Sequence, residues 1–302
     1  MNKTIATFLL PVLTATALVA QGPGSAAAPA AAEPLTLPLW ETPPPLSLPG
    51  LNADAPPERL DEHGTAYNVT VPVIAVHLPP PARANGTALI VCPGGSYSKI
   101  GLFTTGMGAV GEFVPQGFAV VVLKYRTSPP MRGYEAARAD AMRAMRLVRH
   151  HAREWNIDPR RIGMVGGSAG GHLVLSSATH SDEGDANAAD PVERQSCRAD
   201  FLALVAPWPA KQPVSAFPIV KATPPMFIAA AADDQIAPAS FATELAQACE
   251  HAGVESRLWI IPEGGHPAFT LGSKGKGAGW GAPFVKWLKE QKLDQPSGGT
   301  AR

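Results

Sequence analysis

Three residue types in one chain order could do nucleophilic chemistry here: a serine among glycines at 168, an aspartate pair at 233 and 234, and a histidine after two glycines at 266. Gly166-Gly167-Ser168-Ala169-Gly170 fits G-x-S-x-G, and it lies between an apolar stretch, Arg161 to Val165, and an apolar helical pattern that resumes at His172. A serine can attack an ester carbonyl when a sharp strand-to-helix turn holds its hydroxyl clear of the backbone, and glycines around it let strand and helix pass closely. Ser168 is the candidate nucleophile.

A serine hydroxyl needs a base, and the base needs a carboxylate to hold its tautomer and offset its charge. Of the eight histidines, His266 combines a late position, a loop after a strand and flanking Gly264-Gly265. His172 lies just past the serine on the same helix and reads as a structural hydrogen-bonding residue. Asp233 and Asp234 both follow an apolar strand. Chemistry alone leaves open which of them faces His266, the other capping the helix near Pro238 or facing solvent. An oxyanion formed in acyl transfer needs two backbone N–H donors in place. One is expected from Ala169, the other from Gly95 or Ser96 in Cys92-Pro93-Gly94-Gly95-Ser96-Tyr97. Such chemistry needs neither a metal nor an organic cofactor.

These residues need a scaffold that brings strand ends together. Strands are expected at Val71–Leu78, Thr87–Cys92, Phe118–Tyr125, Arg161–Val165, Phe201–Ala206, Met226–Ala231 and Ser256–Ile261. Helices are expected at Tyr134–Trp155, after Ser168, at Ser240–Ala252 closed by Gly253, and at Trp280–Gln291. On the long helix Ala137, Met142, Met145 and Leu147-Val148 form the apolar side, with Arg138, Arg143, Arg149 and Arg153 expected in solvent. Alternating strands and helices with continuous apolar strands mean an α/β fold, a mostly parallel sheet covered on both faces, with its chemistry at the strands' carboxyl ends.

The chain has 302 residues, 45% of them hydrophobic, enough for a sizeable core. Its 25 basic and 25 acidic residues balance, which removes the electrostatic case for nucleic acid or an anionic membrane as partner. Residues 1–32 read as a signal peptide: Lys3, an apolar run from Ile5 to Ala20 broken by Pro11, and small residues offering several cuts, among them Ala26-Ala27-Ala28. That run is short of the roughly 20 residues a spanning helix needs, so the mature form is expected off the membrane, periplasmic or secreted. Residues 33–57 are proline-rich and read as a strap, residues 58–292 as the catalytic domain, and residues 293–302 as a tail. Cys92, Cys197 and Cys249 lack C-x-x-C spacing, and Cys92 and Cys249 read as packing residues.

Taken together the chain resembles the alpha/beta-hydrolase superfamily, and more narrowly its exported bacterial carbohydrate acetyl-esterase and acetyl-xylan-esterase-like branch. The resemblance rests on the order and spacing of the stretches Asn85 to Tyr97, Val122 to Arg126, Asp140 to Arg149, Trp155 to Gly163, Ser168 to Leu173, Ala232 to Pro238 and Pro262 to His266. In that branch the acid is the aspartate of D-x-x-x-P. The resemblance therefore selects Asp234, with Pro238 closing the segment. Two positions depart from the branch: Ser96 stands where a glycine is usual, and Pro267 follows the histidine where glycine is frequent. The stretch between Phe201–Ala206 and Met226 is short and proline-rich, so no large lid is expected, and an open cleft would suit a bulky carbohydrate with a small acyl group. Tyr97 and Trp208 are the candidate sugar-stacking residues. The resemblance implies a serine esterase acting on a small-molecule or polysaccharide ester. The alternatives are a feruloyl or general carboxylesterase, and an inactive member that binds carbohydrate or protein.

Overall fold

The computed structural model describes residues 34–41, 43–46, 56–127, 134–269 and 278–294. The expected signal peptide, less than half of the expected strap and most of the expected tail lie outside them.

In chain order the strands are β1 (Leu35–Pro38), β2 (Arg59–Leu60), β3 (Thr65–Tyr67), β4 (Val73–His77), β5 (Ala88–Cys92), β6 (Lys99–Gly101), β7 (Ala119–Lys124), β8 (Ile162–Gly167), β9 (Phe201–Val205), β10 (Met226–Ala231) and β11 (Ser256–Ile261). The helices are α1 (Gly108–Phe113), α2 (Tyr134–His150), α3 (Ala169–Ala178), α4 (Ala239–Ala252) and α5 (Gly281–Glu290), and a π-helical turn, Leu102–Met107, leads into α1. Eight strands form one sheet in the order β1-β4-β7-β5-β8-β9-β10-β11. The first two pairings are antiparallel and the other five parallel. A second, three-stranded antiparallel sheet has the order β2-β3-β6.

The central strands are apolar throughout, because both of their faces are covered. In β5, Ala88, Ile90 and Cys92 pack on the side of α2, α3 and α4, whereas Leu89 and Val91 pack on the side of α1 and α5. The chain builds β5 and β7 to one side and then β8 to β11 to the other, so strand order reverses between β5 and β8. In open parallel sheets the crevice outside the carboxyl ends at such a reversal is where ligands bind.

Three expectations need correction. The proline-rich segment does not merely lie over the domain, since Leu35–Pro38 pairs with Val73–Val76 as an edge strand, the position a sheet leaves to proline. Buried ionic groups tie down the residues that follow it: Trp40 Nε1 donates to Asp140 Oδ1 at 2.9 Å and Arg143 Nε to the Leu39 carbonyl at 2.8 Å. Arg143 is accordingly not in solvent. It is 4% exposed and paired with Asp190 and Glu193 at 2.6 and 2.7 Å, the condition under which an interior guanidinium is tolerated. The long helix also ends at His150, before Trp155, and continues as turns. Cys92, Cys197 and Cys249 are all buried thiols, and burial raises the Cys249 pKa to about 11. No helix among the described residues is long and apolar enough to cross a membrane.

Candidate active site

Ser168 stands at the turn between β8 and α3 with φ 56° and ψ −121°. A non-glycine residue there carries strain of about 1–3 kcal/mol, and the surrounding packing must over-determine it. Glycine does so. A Cβ on Gly170 would sit 1.9 Å from the Cys92 carbonyl oxygen at the end of β5, and one on Gly166 would sit 2.2 Å from the Gly170 carbonyl oxygen. Strand end, turn and helix therefore meet backbone to backbone. The turn is tied further by the Ser168 amide, which donates to the Val205 carbonyl at 2.9 Å, and by the Ser168 carbonyl, which accepts from Trp208 N at 3.1 Å.

His266 arrives from the loop after β11. Its Nε2 lies 2.8 Å from Ser168 Oγ and its Nδ1 lies 2.7 Å from Asp234 Oδ2. A carboxylate only accepts, so Nδ1 carries the proton, and Nε2 is left to accept from the serine hydroxyl. Asp234 is 3% exposed, and its Oδ1 accepts the Ile236 and Ala237 amides at 2.8 and 2.9 Å. Both carboxylate oxygens are therefore engaged in one orientation.

The neighbouring Asp233 does something the sequence did not indicate. It neither caps α4 nor merely faces solvent: its Oδ2 and Oδ1 accept the Gly264 and Gly265 amides at 3.0 and 2.8 Å. Those two glycines have φ of 132° and 58°. The Gly264 hydrogen bond, followed by that from Gly265, holds the Asp233 pKa below the ordinary carboxylate range. One aspartate thus orients the imidazole and the next clasps the loop that carries it.

The loop after β5 closes on the serine from the other side. A Cβ on Gly94 would lie 2.8 Å from the Gly167 carbonyl oxygen and 3.1 Å from Ser168 Cβ. Gly95, Ser96 and Tyr97 have φ of 146°, 55° and 59°, a turn tied by the Ser98 and Lys99 amides donating to the Gly95 carbonyl. The amides of Gly95, Ser96 and Ala169 have no acceptor among the described residues, the state required of a donor kept for an incoming oxyanion.

Tyr97 is not available to stack on a sugar. It is 2% exposed, and its hydroxyl lies 2.6 Å from His172 Nδ1, because the positive φ turns the ring under the loop. His172 Nε2 in turn meets Gln212 Oε1 at 3.0 Å, and the Tyr125 hydroxyl donates to the Pro93 carbonyl at 2.7 Å. Burial holds the His172 imidazole below its ordinary pKa. Tyr97, Tyr125, His172 and Gln212 thus form a polar prop beneath the loop. Tyr125 and Gln212 carry no motif that marks them for this in the sequence. Trp208 is half-buried, packs against the core and lies outside the cleft lining.

Ser168 and His266 open onto a cleft of about 550 Å³. Val91, Val165, Val205, Phe269 and Trp280 contribute apolar lining, while Thr65, Ser96, Lys99 and Thr104 contribute polar groups. The segment between β9 and β10 carries a single 3-10 turn, Val214–Ala216, and no helical lid. The aromatic lining comes instead from the residues before α5.

A mostly parallel sheet with a serine at its strand-to-helix turn, hydrogen-bonded to a histidine from the last strand's loop, defines a class, and the chain has the α/β-hydrolase fold. Residues 74–208 match the family BD-FAE. The chain is 31% identical to an acetylxylan esterase of Xylanibacter ruminicola over 202 residues, 62% of this chain and 42% of the relative. It is 34% identical to Carboxylesterase NlhH of Mycobacterium tuberculosis over 124 residues, 39% of each. The chain thus spans less than half the length of these curated relatives. Among solved structures, an acetyl ester-xyloside bifunctional hydrolase from Caldicellulosiruptor lactoaceticus superposes with TM-score 0.69 and 28% identity, over 88% of this chain and 99% of that one.

Proposed function

We propose that the chain is a serine ester hydrolase for short-chain acyl esters that deacetylates a carbohydrate. The observation that carries this reading is the run of hydrogen bonds from Ser168 Oγ through His266 to Asp234, at 2.8 and 2.7 Å. In this mechanism His266 Nε2 takes the serine proton as Oγ attacks the ester carbonyl. The amides of Ala169 and of Gly95 or Ser96 hold the oxyanion. His266 then gives the proton to the departing alcohol, leaving an acyl group on Ser168, and water activated by the same imidazole clears it. Asp234 keeps Nδ1 protonated and offsets the imidazolium charge. The named activities of the relatives support an acetyl group and a sugar alcohol, and the N-terminal 32 residues support export.

Hydrolysis of p-nitrophenyl acetate and butyrate by wild type and Ser168→Ala, with acetate release from acetylated xylan, tests the assignment. Loss of turnover by about six orders of magnitude is expected on removing the nucleophile. A variant as active as wild type, or a wild type inert on every ester, overturns it and leaves a binding protein. A second reading, an aromatic acyl group, is favoured by Phe269 and Trp280 in the cleft. A higher kcat/KM for feruloyl than for acetyl esters would select it.

A further inference from the structure

The three-stranded sheet has one face in the core and one at the cleft. Ala66 and Ile100, paired across β3 and β6, are buried. The alternate residues face the other way, and of these Thr65, Lys99 and Gly101 line the cleft with Ser168. On that face Arg59, Tyr67 and Lys99 stand in one cross-strand row, Arg59 opposite Tyr67 and Tyr67 opposite Lys99. The Arg59 guanidinium lies 3.8 Å from the Tyr67 ring centroid and Lys99 Nζ lies 6.0 Å from it.

Two exposed cations thus flank one ring, and no ion pair among the described residues neutralises either of them. The acids nearest in sequence have partners of their own, the Tyr67 side chain among those of Asp61. Glu58 pairs with Lys124 and accepts the Thr70 and Val71 amides, Asp61 accepts the His63 and Thr65 amides, and Glu62 faces His63 at 3.6 Å. Gathering like charges in a row opposes folding. Stacking on the ring offsets only part of that and leaves the guanidinium edge and the ammonium free to meet an anion. Lys99 lines the cleft and Arg59 does not, so an anion held by Lys99 shares the cleft with the serine.

We infer that the cleft takes an ester substrate that itself carries a carboxylate, held by Lys99. This rests on the ester-hydrolase reading. The carboxylate has two chemical sources: a uronic acid on the alcohol side, or the free end of a dicarboxylic half-ester on the acyl side. A neutral glycan acetate leaves Lys99 unmatched.

The test compares kcat/KM at low ionic strength within two substrate pairs: acetylated methyl glucuronide against acetylated methyl glucoside, and p-nitrophenyl hemisuccinate against p-nitrophenyl butyrate. Wild type is expected to favour the acidic member of one pair, and which pair responds identifies the source. Lys99→Met should lower that ratio about fivefold, the scale of a solvent-exposed ion pair, and Lys99→Glu should lower it further, with Lys99→Arg retaining it. Arg59→Met, outside the cleft lining and across the Tyr67 ring, should leave it unchanged, and added salt should lower it in wild type but little in Lys99→Met. Ratios that are the same in wild type and all variants overturn the inference while leaving the esterase reading intact. Titration of methyl glucuronide and of succinate into Ser168→Ala, with and without Lys99→Met, gives a readout free of turnover. Lys99-dependent binding by an enzyme inert on every ester would support the carboxylate site and overturn the esterase reading; neither turnover nor binding would overturn both.

Discussion

The two halves of the site are held by different physics. Ser168 is fixed by steric exclusion, in a turn where Gly166 and Gly170 bring backbone against backbone and a single methyl group would not fit. His266 is fixed by charge-assisted hydrogen bonds, its ring by Asp234 and its loop by Asp233, across a gap of some thirty residues in sequence. A sterically locked group tolerates changes of pH and salt but no added volume. A hydrogen-bonded one tolerates volume better and fails when its carboxylates are removed.

That contrast can be broken most severely at Gly170. Gly170→Ala puts a Cβ 1.9 Å from a strand carbonyl and should cost about 3 kcal/mol in urea unfolding and abolish turnover. Gly167→Ala, where the nearest atoms are 3.9 and 4.0 Å away, should stay within about 0.5 kcal/mol of wild type. Equal losses at the two glycines would refute the steric account.

The adjacent aspartates sharpen the other half. Asp234→Asn keeps the shape but reverses the tautomer preference of His266, and kcat should fall about ten-thousandfold. Asp233→Ala leaves the imidazole its partner and frees only the loop, so a loss of about a hundredfold at most is expected, with Asp233→Asn recovering part of it because an amide oxygen still accepts one N–H. Identical losses for Asp233→Ala and Asp234→Asn would mean that the two carboxylates do not divide the work.

The smallest effect concerns the prop under the β5 loop. Burial depresses the His172 pKa, the Gln212 hydrogen bond opposing this and Arg138 adding to it, with Tyr97, Tyr134 and Phe217 packed around the ring. Below the unfolded value of about 6.5 the unfolded chain takes up a proton that the folded chain refuses. Stability is therefore complete above that pH and falls as pH drops, by at most about 1.4 kcal/mol per unit for one group. His77, also depressed by burial, acts with the same sign. Urea midpoints at pH 7.5 and 5.5 should fall less in His172→Asn than in wild type, and an equal fall would assign the acid sensitivity elsewhere.

Much of the fold was legible because it is written locally. The buried strands announce themselves as unbroken apolar runs, such as Met226–Ala231 with all six residues covered, and Gly253 at φ 69° closes α4 where a glycine was expected to stop it. Three of the strands that went unread, Arg59–Leu60, Thr65–Tyr67 and Lys99–Gly101, are two or three residues long and too short for periodicity to register, and the fourth, Leu35–Pro38, lies in the proline-rich stretch. Arg143 was expected in water because helix periodicity counts a charge as outward. Only the approach of Leu39, Asp190 and Glu193 from elsewhere in the chain provides its interior partners.

The sequence by itself determined the fold class, the turn bearing Ser168 and the order of serine, acid and histidine, because a strand-to-helix turn and its glycines involve neighbours only. Tertiary structure alone decided that Asp233 clasps the loop of His266, why Tyr97 is a buried prop, and how Arg59 and Tyr67 come to stand in one row with Lys99 of the cleft. Each of these depends on pairing between segments far apart in the chain, and a side chain's partners there are set by strand register and by the packing of the sheet's faces.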